Sequence, residues 1–304
     1  MQQLTVPPDA AGQRLDQFLA GALRRSRGDI QRKIARHEVL VGGQPLERDA
    51  RVVSGQQFDL LDDASETPAA AAAPHPAVIA EDDDLLVLNK PSGLTMHPAD
   101  GVREQTLVDW LLARSPALRG VGDDPQRPGI VHRLDREASG LVVAAKTQAA
   151  FEHLKRAFQE RRVEKHYRAL VHGIVEPNAH TITFPIERAA DGRMVAKPVG
   201  SDGRAAETHF TVLERMPPFT LLDVVTKTGR THQVRVHLNA YGHPIAGDPL
   251  YFQKRFRNVR RPPRLFLHAA SLRFPHLDGT ERTYEAPLPP DLKNFLDSLQ
   301  QRVT

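Results

Sequence analysis

The chain has 304 residues, enough for about two domains and a sizeable core, and its 40% hydrophobic and 26% charged content is ordinary for a folded globular protein. It has no cysteine, which excludes disulfides and thiolate metal sites. No apolar run approaches the ~20 residues that span a bilayer, so the reading is an unprocessed cytoplasmic protein with no membrane partner. The formal net charge is only +4, but basic residues bunch: nine against five acids between Arg14 and Arg51, and six with no acid between Lys254 and Arg264. Two such clusters fit a polyanionic partner such as nucleic acid, and equally fit ordinary solvated faces.

In chain order, residues 14–23 set Leu15, Phe18, Leu19 and Leu23 on one helical face, and a second short helix carries Ile30 and Ile34. The apolar run at 37–44 ends in a Gly-Gly turn. Val52-Val53 and residues 58–61 flank another turn at Ser54-Gly55, and these segments predict strands. Residues 1–62 therefore form a small α+β unit, marginal but feasible as a separate domain. Arg14-Leu15-Asp16, the basic second helix and Val39-Leu40-Val41-Gly42-Gly43 resemble the S4 RNA-binding fold, with His37 where that fold usually has Gly. The resemblance implies an RNA-facing surface of Arg25, Arg27, Arg32, Lys33 and Arg36. Residues 63–77, rich in Ala and Pro and without apolar period, read as a linker.

From residue 78 onward, residues 85–88 predict a buried strand running into the turn at 89–93, and Thr106 with Asp109 predicts a capping box. Residues 141–145 are a continuous apolar run, hence a buried strand, followed by a helix from Ala149 with Ala150, Phe151, Leu154, Ala157 and Phe158 on one face. Strands are expected at 165–171, 210–213 and 219–226, a hairpin with loop at 188–204, and a last amphipathic helix on Leu292, Phe295, Leu296 and Leu299. Many strands in series with irregularly placed helices predict an α+β domain with a mixed, largely antiparallel sheet over 78–304.

Two stretches carry dense polar chemistry. His132-Arg133-Leu134-Asp135 stands at the mouth of the 141–145 strand, where it is either a structural Arg–Asp pair or a catalytic cluster. The second runs from Gly229 to Pro244 and predicts a helix capped by Thr231, with Gly242 just past its end. Val234, Leu238 and Tyr241 form its core stripe, and His232, Arg235 and Asn239 lie on a neighbouring face. Arg235 is thus aimed, either as an interior clamp or as partner to a catalytic carboxylate. His232 and His237 are five apart, the wrong spacing for a helical zinc pair. Ser139 lacks a nucleophile elbow, and no phosphate-cradling glycine loop occurs, so no metal and no nucleotide cofactor is expected.

Taken together, His132-Arg133-Leu134-Asp135 with Ser139-Gly140-Leu141, Lys165-His166-Tyr167-x-Ala169, Gly229-Arg230-Thr231-His232-Gln233-Val234-Arg235 and Gly247-Asp248-Pro249-Leu250-Tyr251 resemble the ordered motifs of the RluA family of RNA pseudouridine synthases. Asn89-Lys90-Pro91-Ser92-Gly93, His97-Pro98 and Leu267-His268-Ala269 fit as well, and Ala138 stands where the family often has Thr. The resemblance implies a pseudouridine synthase domain over 78–304. Asp135 is its essential carboxylate, moving ribose from N1 to C5 of a uridine, and Arg235 offsets the carboxylate charge. By the same resemblance Tyr167 stacks on uracil and assists proton removal from C5, Arg133 fills the space left by the flipped base, and Arg230 and His232 bind substrate. No cofactor is required. His132 is expected to hold its loop through hydrogen bonds.

The expected partner is RNA, large-subunit ribosomal RNA or its assembly intermediates, and the expected state a monomer. The alternatives are the same reaction on tRNA or another RNA, a non-catalytic RNA-binding or ribosome-assembly protein, and a nucleoside glycosidase. The last would need paired carboxylates, and the motifs give Asp135 no obvious second one.

Overall fold

The structure is a computed structural model describing residues 2–23, 30–31, 34, 39–41, 44–45, 50–60, 74–98 and 105–301. The chain divides into two compact units, Met1–Ala72 and Ala73–Thr304.

In the first unit, β1 (Gln2–Thr5) pairs antiparallel with β4 (Gln57–Leu60), which also pairs β2 (Val39–Val41), itself joined to β3 (Gln44–Pro45). Helix α1 (Leu15–Ala22) buries Leu15, Phe18 and Leu19 against Ile30, Ile34, Val39 and Phe58. Asp16 is buried among them and accepts hydrogen bonds from Arg14 Nε at 3.1 Å and Gln31 Nε2 at 2.9 Å. Val52-Val53 is not a strand: Val52 exchanges backbone bonds with the 12–13 turn instead (N–H to Gln13 O 3.0 Å, carbonyl from Gly12 N 2.8 Å). Arg25, Arg27, Arg32, Lys33, Arg36 and His37 lie outside the described residues.

In the second unit, β5 (Ala77–Glu81) and β6 (Leu85–Lys90) precede α2 (Leu107–Arg114). Then come β7 (Ser139–Ala145), α3 (Gln148–Gln159), β8 (Glu164–His172), β9 (Ala179–Ile182), β10 (Ile186–Arg188), β11 (Met194–Ala196), β12 (Thr208–Met216) and β13 (Phe219–Thr226). Helix α4 (Gln233–Ala240), β14 (Leu267–Pro275), β15 (Glu281–Glu285) and α5 (Pro290–Gln300) complete it. Among the described residues, nine strands form one sheet in the order β5-β6-β7-β14-β8-β13-β12-β9, with β15 on β14, and β10-β11 is a separate hairpin. Every pairing in the sheet is antiparallel except β7 with β14, so the expected α+β class with a largely antiparallel sheet is what forms.

All seven residues of β7 are buried, as a continuous apolar run requires. α3 covers β7 and β14 with Ala150, Phe151, Leu154 and Ala157; each fully buried large side chain contributes about 1.5–3 kcal/mol. Thr106 and Asp109 make the capping box (Asp109 N to Thr106 Oγ1 3.2 Å, Thr106 N to Asp109 Oδ2 2.8 Å). At α4, however, Thr231 does not cap. His232 holds the N-cap position in a left-handed conformation, and the Gln233 side chain closes the turn by accepting from Arg230 N at 3.0 Å and Thr228 Oγ1 at 2.7 Å.

Candidate active site

The loop at 129–138 is fixed at both ends and in its middle. Ala145 N donates to Gly129 O (2.9 Å), Val143 N donates to His132 Nε2 (3.0 Å), and Ala138 N closes a turn onto Asp135 O (3.2 Å). His132 thus holds the loop, as expected. Its ring stacks on Phe158, and burial pushes its pKa down to about 3, so it stays neutral and acts as an acceptor. The turn after β6 grips the other flank by its carbonyls: Gly93 N (2.7 Å) and Lys90 Nζ (3.2 Å) donate to Arg136 O, and Ser92 Oγ donates to Glu137 O (2.6 Å). Lys90 Nζ also reaches Pro91 O at 2.8 Å and Leu94 O at 2.9 Å. Burial pulls this lysine down to about 7, while the nearby charges of Asp135 and Glu137 favour its ammonium form.

Behind the loop, α4 presents Arg235, 1% exposed. Its Nε and Nη2 each lie 2.8 Å from the two oxygens of Asp248, a bidentate pair, and Asp248 Oδ1 also accepts from Leu250 N (2.8 Å) and Tyr251 N (3.0 Å). With two edges of the fork occupied, Nη1 points at Asp135 Oδ2 (3.3 Å) and Glu137 Oε2 (3.4 Å). Burial opposes the Arg235 charge, but Asp248, Asp135 and Glu137 outweigh it and raise its pKa above the ordinary arginine value. Arg235 is therefore both the interior clamp and the carboxylate partner. Glu137 corrects the expectation that Asp135 has no neighbouring carboxylate: it shares the same guanidinium nitrogen.

Asp135 and Tyr167 line one cleft of about 440 Å³, together with Arg133, His132, Phe158, Lys165, Arg230 and His232. Tyr167 is buried, and burial with the Asp135 charge pushes its pKa up to about 12, so the cleft offers a phenol rather than a phenolate. Arg133 is exposed at the mouth. His232 Nδ1 meets Tyr251 Oη at 3.0 Å, and the Tyr251 ring lies under the Arg235 guanidinium, 5.2 Å from its centroid. His237 instead bonds Thr208 Oγ1 (2.9 Å) and Phe184 O (2.8 Å), and His243 bonds His172 O (2.9 Å). Ser139 is buried against His268 Nδ1 (2.9 Å), away from His132.

Arg230 is tied through Nε to Ala205 O (3.0 Å); burial, then Arg204 and Arg161, lower its pKa, so three guanidiniums crowd one rim. Arg161 takes a left-handed conformation (φ 58°) just past α3, a position glycine usually fills. Arg161 N bonds Phe158 O (3.2 Å) and Arg162 N bonds Ala157 O (2.9 Å), completing the helix-ending motif around it.

Sequence reasoning assigned no role to Asp248, Glu137 or Lys90, although all three stand in the polar motifs or beside them. The signal available for Asp248 was a carboxylate between Gly247 and Pro249, a tight turn that can aim it inward.

The family model for RNA pseudouridylate synthase matches residues 84–240. The chain is 39% identical over 315 residues to ribosomal large subunit pseudouridine synthase D of Neisseria meningitidis serogroup B, covering 98% of this chain and 81% of that one. It is 34% identical over 316 residues to ribosomal large subunit pseudouridine synthase C of Vibrio vulnificus, covering 99% and 97%. The solved structure of human RNA pseudouridylate synthase domain containing 1 superposes with a TM-score of 0.58 at 29% identity, covering 76% of this chain and 96% of that chain. A carboxylate on a braced loop, a buried arginine aimed at it, a tyrosine in the same cleft and these likenesses converge: the chain belongs to the RNA pseudouridylate synthase family and is an RNA pseudouridine synthase.

Proposed function

We propose that this enzyme isomerises specific uridines of large-subunit ribosomal RNA, with Asp135 as the reacting carboxylate. The observation that carries the reading is Asp135 at 3.3 Å from an arginine whose other two donors are locked on Asp248. Arg235 fixes the orientation of the carboxylate and offsets its charge, while Tyr167 contacts the base in the cleft. Arg133, exposed at the mouth, enters the duplex space left by the flipped uridine. The like-charged rim of Arg161, Arg204 and Arg230 supports a polyanionic substrate, because cations that repel one another in the free protein gain most from phosphate. The ribosomal target rests on the names of the Neisseria and Vibrio relatives. Mapping pseudouridine in ribosomal RNA from cells with and without the gene tests it: positions that lose the modification are expected in the large-subunit RNA, and an unchanged map there sinks the target.

Residues 1–62 serve in this reading as an S4-like RNA-binding unit, supported by the basic run and the two-helix, small-sheet pattern. Replacing Arg25, Arg27, Arg32 and Lys33 by Gln in the full chain is expected to weaken binding to structured RNA. It should also flatten the dependence of log affinity on log salt by about 0.7–0.9 for each phosphate no longer neutralised. An unaltered slope counts against that role. Cytoplasmic location and a monomeric state complete the proposal.

A further inference from the structure

Lys165 has no part in the chemistry assigned to Asp135, Arg235 and Tyr167, yet its setting is unusual for an ammonium. It lies on β8 two residues before Tyr167 and so on the same face of the strand, and it lines the same cleft. Phe158 and Val163 line the same cleft, and Nζ lies 5.8 Å from the Phe158 ring centroid. Among the described residues Lys165 makes no hydrogen bond and no ion pair, whereas Lys146 reaches Glu81 at 3.0 Å and buried Lys90 is held by carbonyls. A half-buried ammonium without an acceptor is costly to keep, and an acceptor brought by a ligand removes that cost.

We propose that Lys165 is a substrate-contacting catalytic residue, whose ammonium donates a hydrogen bond to a carbonyl oxygen of the target uracil and stabilises the negative charge the ring gains during isomerisation. This rests on the reading that the uridine enters the Asp135 cleft. Arg161 and Lys227 stand exposed to solvent, where phosphates keep part of their hydration, whereas Lys165 sits half-buried against Phe158, a wall that suits a flat base with carbonyl acceptors. Two residues along a strand span about 6.6 Å, so a ring lying on Tyr167 brings a carbonyl within reach of the lysine.

The ring gains this charge under either role of Asp135. If the carboxylate bonds to C6, the C5=C6 electron pair moves onto O4. If the base leaves C1′ first, the N1–C1′ pair stays on the ring and spreads over O2 and O4. On the first route C5 bonds to C1′ as the N1–C1′ bond breaks and leaves its pair on N1, and the C6–oxygen bond breaks, freeing the carboxylate, as C5 loses its proton to solvent. On the second route the ring pair forms the C5–C1′ bond and C5 then loses its proton to solvent. On both routes N1 ends protonated. Lys165 donates a hydrogen bond throughout and transfers no proton, acting as a preorganised cation against the Phe158 wall of the cleft.

The groups that share the cleft with Lys165 are His97, Arg127, neutral His132, Arg133, Asp135, Arg161, protonated Tyr167, Lys227, Arg230 and His232. Burial pulls Lys165 itself down to about 8. Its charged form is therefore complete below that pH and is lost as pH rises through it.

The test uses full-length enzyme and total RNA, tritiated at uridine C5, from cells lacking the gene, with tritium release followed in a single turnover. This RNA contains the target whatever its class. Lys165→Met is expected to slow release about 10²-fold with RNA affinity within about twofold, and to lack the alkaline fall near pH 8 expected of wild type. Lys165→Arg is expected to retain charge and move that fall beyond pH 10. Wild-type rates in Lys165→Met, or an alkaline fall unmoved in Lys165→Arg, overturn the proposal. Release by Asp135→Asn, run alongside, would instead sink the underlying reading of the cleft. Release confined to RNA other than ribosomal would sink the target alone.

Discussion

Asp135→Asn is expected to fold, to bind RNA as wild type does, and to form no pseudouridine, a loss of at least about 10⁴-fold in rate. Asparagine keeps the shape and fills the same space above Arg235, but it has no negative oxygen for a bond to base or sugar and no basic site for a proton. Stability should change little. Arg235 keeps its two 2.8 Å bonds to Asp248, so the substitution leaves no buried cation without a partner. The Asp135–Arg235 bond being altered is itself longer, 3.3 Å, on a carboxylate that keeps 14% of its side-chain surface exposed. Melting temperature, RNA affinity and pseudouridine yield together make the check, and normal yield overturns the assignment of the reacting group.

Gly140→Ala carries the largest expected cost to stability. Gly140 sits at φ +119° in the parallel pairing of β7 with β14, and a Cβ there would lie 2.3 Å from Ala269 O and 2.4 Å from Ala269 N. Both atoms are backbone inside the sheet, so neither can rotate away. Relief requires separating the strands at Ser139↔His268 and Gly140↔Ala269, which also opens the buried Ser139–His268 bond. A loss of about 3–5 kcal/mol is expected, with activity lost alongside because the Asp135 loop enters β7 at this point. Gly192→Ala is the control: its φ of +85° is also left-handed, but no atom lies within 4 Å of the added carbon, so it should cost only about 1 kcal/mol. Equal denaturation midpoints for the two variants would refute the steric explanation.

The pattern of these effects reflects what local sequence can and cannot encode. The β7 strand, the Thr106 capping box and the apolar stripe of α3 are legible because each depends on residues within a few positions of one another. The polar motifs are legible as motifs, and the fold draws Asp135, Tyr167, Arg133, Arg230 and His232 to one cleft with Arg235 behind. Arg235's neighbours are another matter. Asp135 lies 100 positions away and Asp248 lies 13 positions further along the chain, and no periodicity links them. Gln233 supplants Thr231 at the start of α4 for the same reason: its amide also reaches Glu207 O at 2.9 Å and Thr208 Oγ1 at 3.0 Å on a neighbouring strand, so tertiary bonds override the local capping preference. Lys90 before a proline looks like a solvated turn in the sequence, and only the carbonyls gathered around it explain why it is buried.

The grip of Lys90, Ser92 and Gly93 on the loop falls on main-chain oxygens of Arg136 and Glu137. Every amino acid carries that oxygen, so these three bonds do not depend on the side chains at 136 and 137, although Arg136 adds one of its own, Nε to Gly93 O at 3.2 Å. The backbone at 136 and 137 is thereby held by atoms common to every residue, and with it the place of the carboxylate at 135.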